Sequence, residues 1–166
     1  MIALRSEQDG DAAAIGALVT AAFLGAEHSS GTEAAIVDAL RASGMLSVSL
    51  VAEEDGLIVG HVAFSPVTMD GTDLGWFGLG PVAVSPDHQR RGIGARLIEA
   101  GLARLRDAGA QGCVVLGDPA YYARFGFEID PALVYPGVPA EYFQRLVLAG
   151  AAPTGKVAYH PSFAAS

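Results

Sequence analysis

The sequence predicts an α/β (α+β) domain with a mixed, mostly antiparallel sheet of six to seven strands flanked by helices. Three observations carry this. Two turn signals, Glu54-Asp55-Gly56 and Met69-Asp70-Gly71-Thr72-Asp73, join three consecutive apolar, strand-like runs into an antiparallel meander. A glycine-punctuated loop then leads from the third run into a helix-patterned segment and on to another short apolar run. That is a crossover, so the last two strands run parallel. Finally, 166 residues with 51% hydrophobic content suit one domain, residues 1–166, with a sizeable core.

In chain order, Ile2 to Arg5 reads as a short strand. Asp9 to Leu24 carries Ile15, Leu18, Val19, Ala22 and Phe23 at helical spacing, with Gly25 as the exit. Thr32-Glu33 reads as a cap and an acidic first turn. It opens a helix to about Ala42 with Ile36, Val37 and Leu40 inward. Ser47 to Glu53, Leu57 to Val67 and Leu74 to Val84 are the meander strands. Trp76 and Phe77, near its second turn, could line a pocket or a subunit surface. Gly92 to Ala108 is a helix stopped by Gly109, and Gln111 to Leu116 is the parallel strand. Asp118-Pro119 caps a short helix to Phe125, ended by Gly126. Phe143 to Ala149 and Gly155 to Tyr159 are tail strands whose exposed edge could pair subunits into a homodimer. The order is β-α-α-β-β-β-α-β-α-β-β. High Ala and Gly content reads as a compositional bias.

Composition narrows the classes. A net charge of −8 argues against nucleic acid as the partner. No run approaches the ~20 apolar residues of a membrane span, and no signal peptide is evident at the start. One cysteine, Cys113, fits a reducing cytoplasm, and its apolar setting makes it an inert buried thiol. The four histidines, His28, His61, His88 and His160, show no metal-ligand spacing, so no metal is expected.

The most informative stretch is residues 81–97, PVAVSPDHQRRGIGARL. Strand, Gly-rich turn and helix N-terminus form an anion-binding arrangement: backbone N–H groups point at the ligand and the helix dipole favours negative charge. Arg90 and Arg91 add cationic donors. A Walker A loop needs a Lys-Ser/Thr pair, which is absent. A dinucleotide fingerprint needs a third glycine where Leu97 falls. What remains, Gln89-x-x-Gly92-x-Gly94 after Val82-x-Val84, resembles the acetyl-CoA-binding segment of the GNAT-type N-acetyltransferases. A second motif agrees. Tyr122-x-x-x-Gly126-Phe127 resembles the C-terminal signature of that family, and the element order is the GNAT order. With Gly-Asp-Pro-x-Tyr-Tyr-x-Arg-Phe-Gly-Phe and His61-x-x-Phe-Ser-Pro66, the chain looks like a bacterial branch of predicted acetyltransferases. It departs from many members in having Gly117-Asp118-Pro119 where they carry an asparagine and a longer approach to the tyrosine.

The resemblance implies a site. Acetyl-CoA would lie along the strand with its pantetheine amides on Val82, Ala83 and Val84, and its pyrophosphate on Gln89, Arg90, Arg91, Gly92, Ile93, Gly94 and Ala95. This requires the strand to part from its parallel neighbour, and Pro81, which lacks an N–H, suits such an interruption. An amine acceptor would attack the thioester directly, helped by a strand N–H at the oxyanion and by proximity. No Ser/His/Asp or Cys/His constellation is needed, and none is seen. Tyr122 would protonate the leaving thiolate, since a phenol keeps its proton at neutral pH. Tyr121, Phe125 and Phe127 read as core aromatics. A general base would come from Glu33 or His61, with Glu27 and His28 as weaker options. Each has a structural reading that comes first, Glu33 as a dipole-stabilising residue and His61 as a half-buried strand histidine, so neither is counted among the site residues; Asp87 and His88 read as turn residues. The alternative to an enzyme is a non-catalytic acyl-CoA sensor.

Overall fold

The computed structural model describes residues 1–24 and 31–165. Twelve helices and strands succeed one another among them: β1 (Ile2–Ser6), α1 (Ala12–Phe23), α2 (Glu33–Ala42), β2 (Val48–Glu54), β3 (Leu57–Met69), β4 (Trp76–Val84), α3 (Ile93–Asp107), β5 (Gly112–Leu116), α4 (Pro119–Tyr122), β6 (Leu133–Val134), β7 (Phe143–Val147) and β8 (Gly155–Tyr159). The sheet order is β1-β2-β3-β4-β5-β7, with β8 pairing β3 and β6. Neighbours on the main path are antiparallel except β4 and β5, which run parallel across the α3 crossover. The predicted fold class and order hold, and the two-residue β6 makes eight strands rather than seven.

The boundaries that moved have local causes. α1 starts at Ala12, not Asp9, because the Asp11 carboxylate accepts the Gln8 N–H (2.7 Å) and pairs with Arg5, holding residues 8–11 in a turn. β3 runs on to Met69 because Val67–Met69 find a partner in β8. β4 begins at Trp76 because Asp73 ties the Gly75 N–H (2.9 Å) into the turn. β7 stops at Val147 because the next two N–H groups both turn onto the Gln111 carbonyl. α4 lasts one turn, tightens to a 3₁₀ turn over Ala123–Phe125, and stops at Gly126 (φ +96°). The β2–β3 hairpin is closed by Asp55 (φ +52°) and Gly56 (φ +79°), the two left-handed residues of a type I′ turn.

Three apolar clusters fill the interior. On one sheet face α3 packs Ile93, Leu97, Ile98, Leu102 and Leu105 against Leu50, Val62, Phe64, Leu79 and Val115. On the other, α1 and α2 cover Val51 and Ala83. Beside them β8 and the tail cover Val67, Trp76 and Val114. Trp76 is therefore core (1% exposed), not a pocket or subunit surface, and Phe77 is half-buried against the α3 side. Gly25, the expected exit of α1, lies outside the described residues.

α3 approaches the sheet so closely at Gly101 that the Phe64 ring occupies the space a Cβ would need. Gly101→Ala normally gains about 1 kcal/mol in a helix interior. Here it should instead cost on the order of 1–3 kcal/mol through overpacking. Denaturant unfolding checks this, and a stabilised variant would contradict it.

Candidate active site

The site begins where β4 changes partners. Trp76 to Leu79 pair with Gly112 to Val115 of β5, and beyond Leu79 that ladder ends. On its other side β4 continues with β3: Val82 faces Val62, Ala83 faces His61, and Val84 faces Gly60. An extra residue at Gly80-Pro81 makes a bulge between these two stretches. Pro81 has no N–H to leave unpaired. The Ser85 N–H donates to the Val59 carbonyl at 2.8 Å. Antiparallel alternation then turns the Ala83 backbone groups toward β3, and those of Val82 and Val84 toward the open edge. So Val82 and Val84 can offer hydrogen bonds to a ligand. Ala83 spends its backbone on β3, and its methyl is buried on the α1 side of the sheet. The Gln89 side-chain amide already donates to the Val84 carbonyl (3.2 Å).

The open edge leads to the N-terminus of α3. Pro86–His88 form a 3₁₀ turn, Arg90 is left-handed (φ +66°), and Gly92 (φ +76°) is the residue that starts the helix. The first intrahelical bond runs from the Arg96 N–H to the Gly92 carbonyl (3.1 Å), and no side chain caps the end. The N–H groups of Ile93, Gly94 and Ala95 thus lack an intrahelical partner. Ile93 contributes only this N–H, since its side chain is buried in the core. A Cβ on Gly94 would lie 3.6 Å from a Val84 methyl and 3.8 Å from the Tyr121 hydroxyl, so Gly94 keeps a slot open between them. The two arginines diverge. Arg91 pairs with Glu54 (2.8 Å), whose carboxylate also meets His88 Nε2 at 3.2 Å. Arg91 thereby braces the loop to the end of β2. The Arg90 guanidinium is exposed, without an ion pair among the described residues.

Tyr122 ends α4, the short helix that follows β5. Asp118 caps α4 by accepting the Ala120 N–H (2.9 Å), and Gln144 anchors the preceding turn by donating to the Gly117 carbonyl (2.9 Å). The Tyr122 ring lies where a Cβ on Gly117 would stand and packs edge-on against Tyr121 and Phe127, at 5.0 and 6.0 Å. Burial pushes its phenol up to about 12, so it is a proton donor at neutral pH. Its hydroxyl is not sealed in the interior and makes no hydrogen bond among the described residues. Tyr121, read from sequence as core, is half-exposed, carries Arg124 over its ring at 4.3 Å, and reaches Gly94 with its hydroxyl. It walls the slot at the helix terminus. The doublet Tyr121-Tyr122 on one helical turn was the available signal: adjacent helical residues point about 100° apart, so they serve different walls.

The other sequence candidates separate. His61 is fully buried, with Nε2 2.8 Å from the Ser49 hydroxyl, and burial lowers its pKa to about 4. Glu33 is the first residue of α2 and half-buried. Glu27 and His28 lie outside the described residues. Asp87 is an exposed turn residue. Cys113 is sealed in the core, where burial raises its thiol pKa and leaves it inert. Among the described residues no group of three His, Cys, Asp or Glu could hold a metal, and no helix is long and apolar enough to cross a membrane.

Residues 46–129, which span the meander, the loop and the α4 motif, match the family model described as an acetyltransferase (GNAT) domain. YhbS of Escherichia coli K12, an uncharacterised N-acetyltransferase, is 40% identical over 168 residues, covering 96% of this chain and 97% of its own. This chain belongs to the GNAT acetyltransferase family. Two solved structures of the family are similar to it over nearly its whole length. A GNAT acetyltransferase from Brucella melitensis in complex with acetyl-CoA is 50% identical, with a TM-score of 0.89 and 98% of each chain covered. YhbS from E. coli in complex with CoA is 39% identical, with a TM-score of 0.88, covering 98% of this chain and 92% of its own.

The buried imidazole has a consequence for stability. Below pH 6.5 an unfolded chain protonates His61, whereas the folded chain does so only near pH 4. The unfolded state binds more protons in that window, so stability drains away as pH falls from 6.5 to 4. At about 1.4 kcal/mol per unit the loss is on the order of 3 kcal/mol. Denaturant midpoints of the native chain and His61→Asn across pH 4–7 should converge as pH falls, and parallel curves would contradict the assignment.

Proposed function

We propose that the protein binds acetyl-CoA in the opening between β4 and β5 and transfers the acetyl group to a primary amine by direct attack. The observation that carries this is the one-sided release of β4 beyond Leu79, leading into an uncapped helix N-terminus. The outward groups of Val82 and Val84 pair with the amides of the pantetheine arm. The N–H groups of Gly92 to Ala95 receive the pyrophosphate, with Arg90 as the adjacent cation and Gln89 and Arg91 as the braces that shape the loop. One N–H on the open edge of β4 polarises the thioester carbonyl as the amine adds. Carbon–sulfur cleavage follows, and Tyr122 gives its proton to the departing thiolate. Holding donor and acceptor together supplies much of the rate. The relatives crystallised with acetyl-CoA or CoA support the donor assignment.

Gly94→Val fills the slot between Val84 and Tyr121 without demanding a left-handed backbone. It should weaken acetyl-CoA binding by at least about tenfold, or about 1.4 kcal/mol, while the thermal midpoint stays near that of the native chain. Titration calorimetry decides; unchanged affinity in a folded variant would sink the donor site.

Tyr122→Phe should lower kcat by about a hundredfold, at the low end for a general acid, with acetyl-CoA affinity within about twofold of the native chain. Thiol release from acetyl-CoA against small and peptidic primary amines is the assay. An unchanged rate would pass the proton-donating role to water. Tight acetyl-CoA binding with no turnover of any amine would mark the protein as an acyl-CoA sensor instead.

A further inference from the structure

Tyr121 is the α4 tyrosine whose hydroxyl the acetyl transfer above leaves without a task, and its ring is held from several sides. The Asp118 carbonyl accepts the Tyr121 N–H at 3.0 Å. Arg124 Nε donates to the Tyr121 carbonyl (3.0 Å), and its guanidinium lies over the ring at 4.3 Å. Tyr122 and Phe125 meet the ring edge-on, at 5.0 and 5.6 Å. These contacts use the backbone and the ring, and none uses the hydroxyl. That hydroxyl makes no hydrogen bond among the described residues and is not sealed in the interior. A fixed ring thus presents an unspent donor and acceptor.

The hydroxyl ends at a particular place. A Cβ on Gly94 would lie 3.8 Å from it and 3.6 Å from Val84 Cγ2, so the phenol and the Val84 methyl are two walls of one slot. Val84 is the last residue of β4, and Gly94 carries one of the unpaired N–H groups at the start of α3. The slot is therefore where a ligand passes from the strand edge to the helix terminus. With pantetheine amides on β4 and pyrophosphate on α3, the part of the donor that crosses here is the pantoyl unit. It carries two methyls and one hydroxyl. One methyl wall and one hydroxyl wall match it. Burial pushes the Tyr121 phenol up, against the lowering by Arg124, so it keeps its proton and can donate as well as accept.

Resting on the acetyl-CoA reading, we propose that the Tyr121 hydroxyl is a donor-binding contact that hydrogen-bonds the pantoyl hydroxyl, with Val84 against the pantoyl methyls. Arg124 and Phe125 hold the ring before any ligand arrives, so little rotamer freedom is lost on binding. The pantoyl unit is remote from the thioester. The contact is therefore equal in the ground state and the transition state, and such uniform binding sets KM and leaves kcat alone. The tyrosine doublet divides its work: Tyr122 serves the sulfur and Tyr121 the arm.

Tyr121→Phe removes the hydroxyl and keeps the ring beneath Arg124. In titration calorimetry it should weaken acetyl-CoA binding by about tenfold, with the thermal midpoint unchanged. Affinity for 3′-phospho-ADP, the part of the cofactor without the pantoyl unit, should stay within about twofold of the native chain. Native acetyl-CoA affinity in the folded variant overturns the contact and leaves Tyr121 as a packing residue. Equal losses for acetyl-CoA and 3′-phospho-ADP also overturn it, because the hydroxyl then serves the pyrophosphate. In turnover with a primary amine, the variant should raise the KM for acetyl-CoA and hold kcat, the reverse of Tyr122→Phe; a lower kcat at unchanged KM overturns the division of roles. If the native chain binds no acetyl-CoA, the donor reading fails first and this contact fails with it.

Discussion

β4 holds one ladder along its whole length and gives up the other halfway. A backbone group left unpaired away from water costs about 1–3 kcal/mol, so a strand can end a ladder in the interior only where solvent or a ligand takes over. The sheet manages this by anchoring β4 to β3, a thirteen-residue strand that also supports β2 and β8. The bulge at Gly80-Pro81 then shifts the parity of the residues beyond it. Before it, Leu79 faces α3; after it, Val82 and Val84 do, and Ala83 takes the α1 side. One inserted residue thus decides which groups face the opening, which methyl sits beside His61, and where α3 must begin.

The glycines serve that arrangement less as turns than as seats. A Cβ on Gly78 would meet Tyr159, on Gly101 Phe64, on Gly112 Trp76, and on Gly117 Tyr122. Each ring lies on the bare backbone of a strand or helix, and two of these seats, Gly78 and Gly117, flank the opening. A sheet that parts in the middle loses cross-strand packing there. Large rings laid across the backbone on both sides replace it, since aromatic side chains bury ~150–250 Å² each. The glycine content that reads in sequence as compositional bias is, at these positions, room for aromatics.

The legible part of the sequence was local. The loop from Gln89 to Ala95 and the turn from Asp118 to Gly126 are written in spacing over a few residues, and the structure builds the first as a turn into a helix N-terminus and the second as a capped helical turn ended by Gly126. The illegible part depends on partners far along the chain. Ladder alternation at Ala83 follows from a bulge whose position single-sequence patterning does not mark. Arg91 looks like a phosphate ligand until Glu54, 37 residues earlier, is seen to hold it. His61 reads as a strand histidine, but that Ser49 and Glu7 are its partners is not written near it. Each is a tertiary contact, and no local propensity encodes it.

Two buried titrating groups, one on α4 and one on β3, are moved by the same cause in opposite senses. Burial raises Tyr122 to about 12 and lowers His61 to about 4. Desolvation always favours the neutral form, so across pH 5 to 9 the phenol keeps its proton and the imidazole stays uncharged. Neither changes charge in the range where an enzyme of this kind would be assayed. The acceptor does: only the neutral amine can attack, and its protonated fraction falls as pH rises. Between pH 6 and 9 the rate at subsaturating acceptor should therefore climb with the acceptor's own ammonium pKa, shifting when a less basic amine replaces a more basic one. A limb fixed at one pH for every amine would place a titrating protein group in the reaction that neither Tyr122 nor His61 supplies.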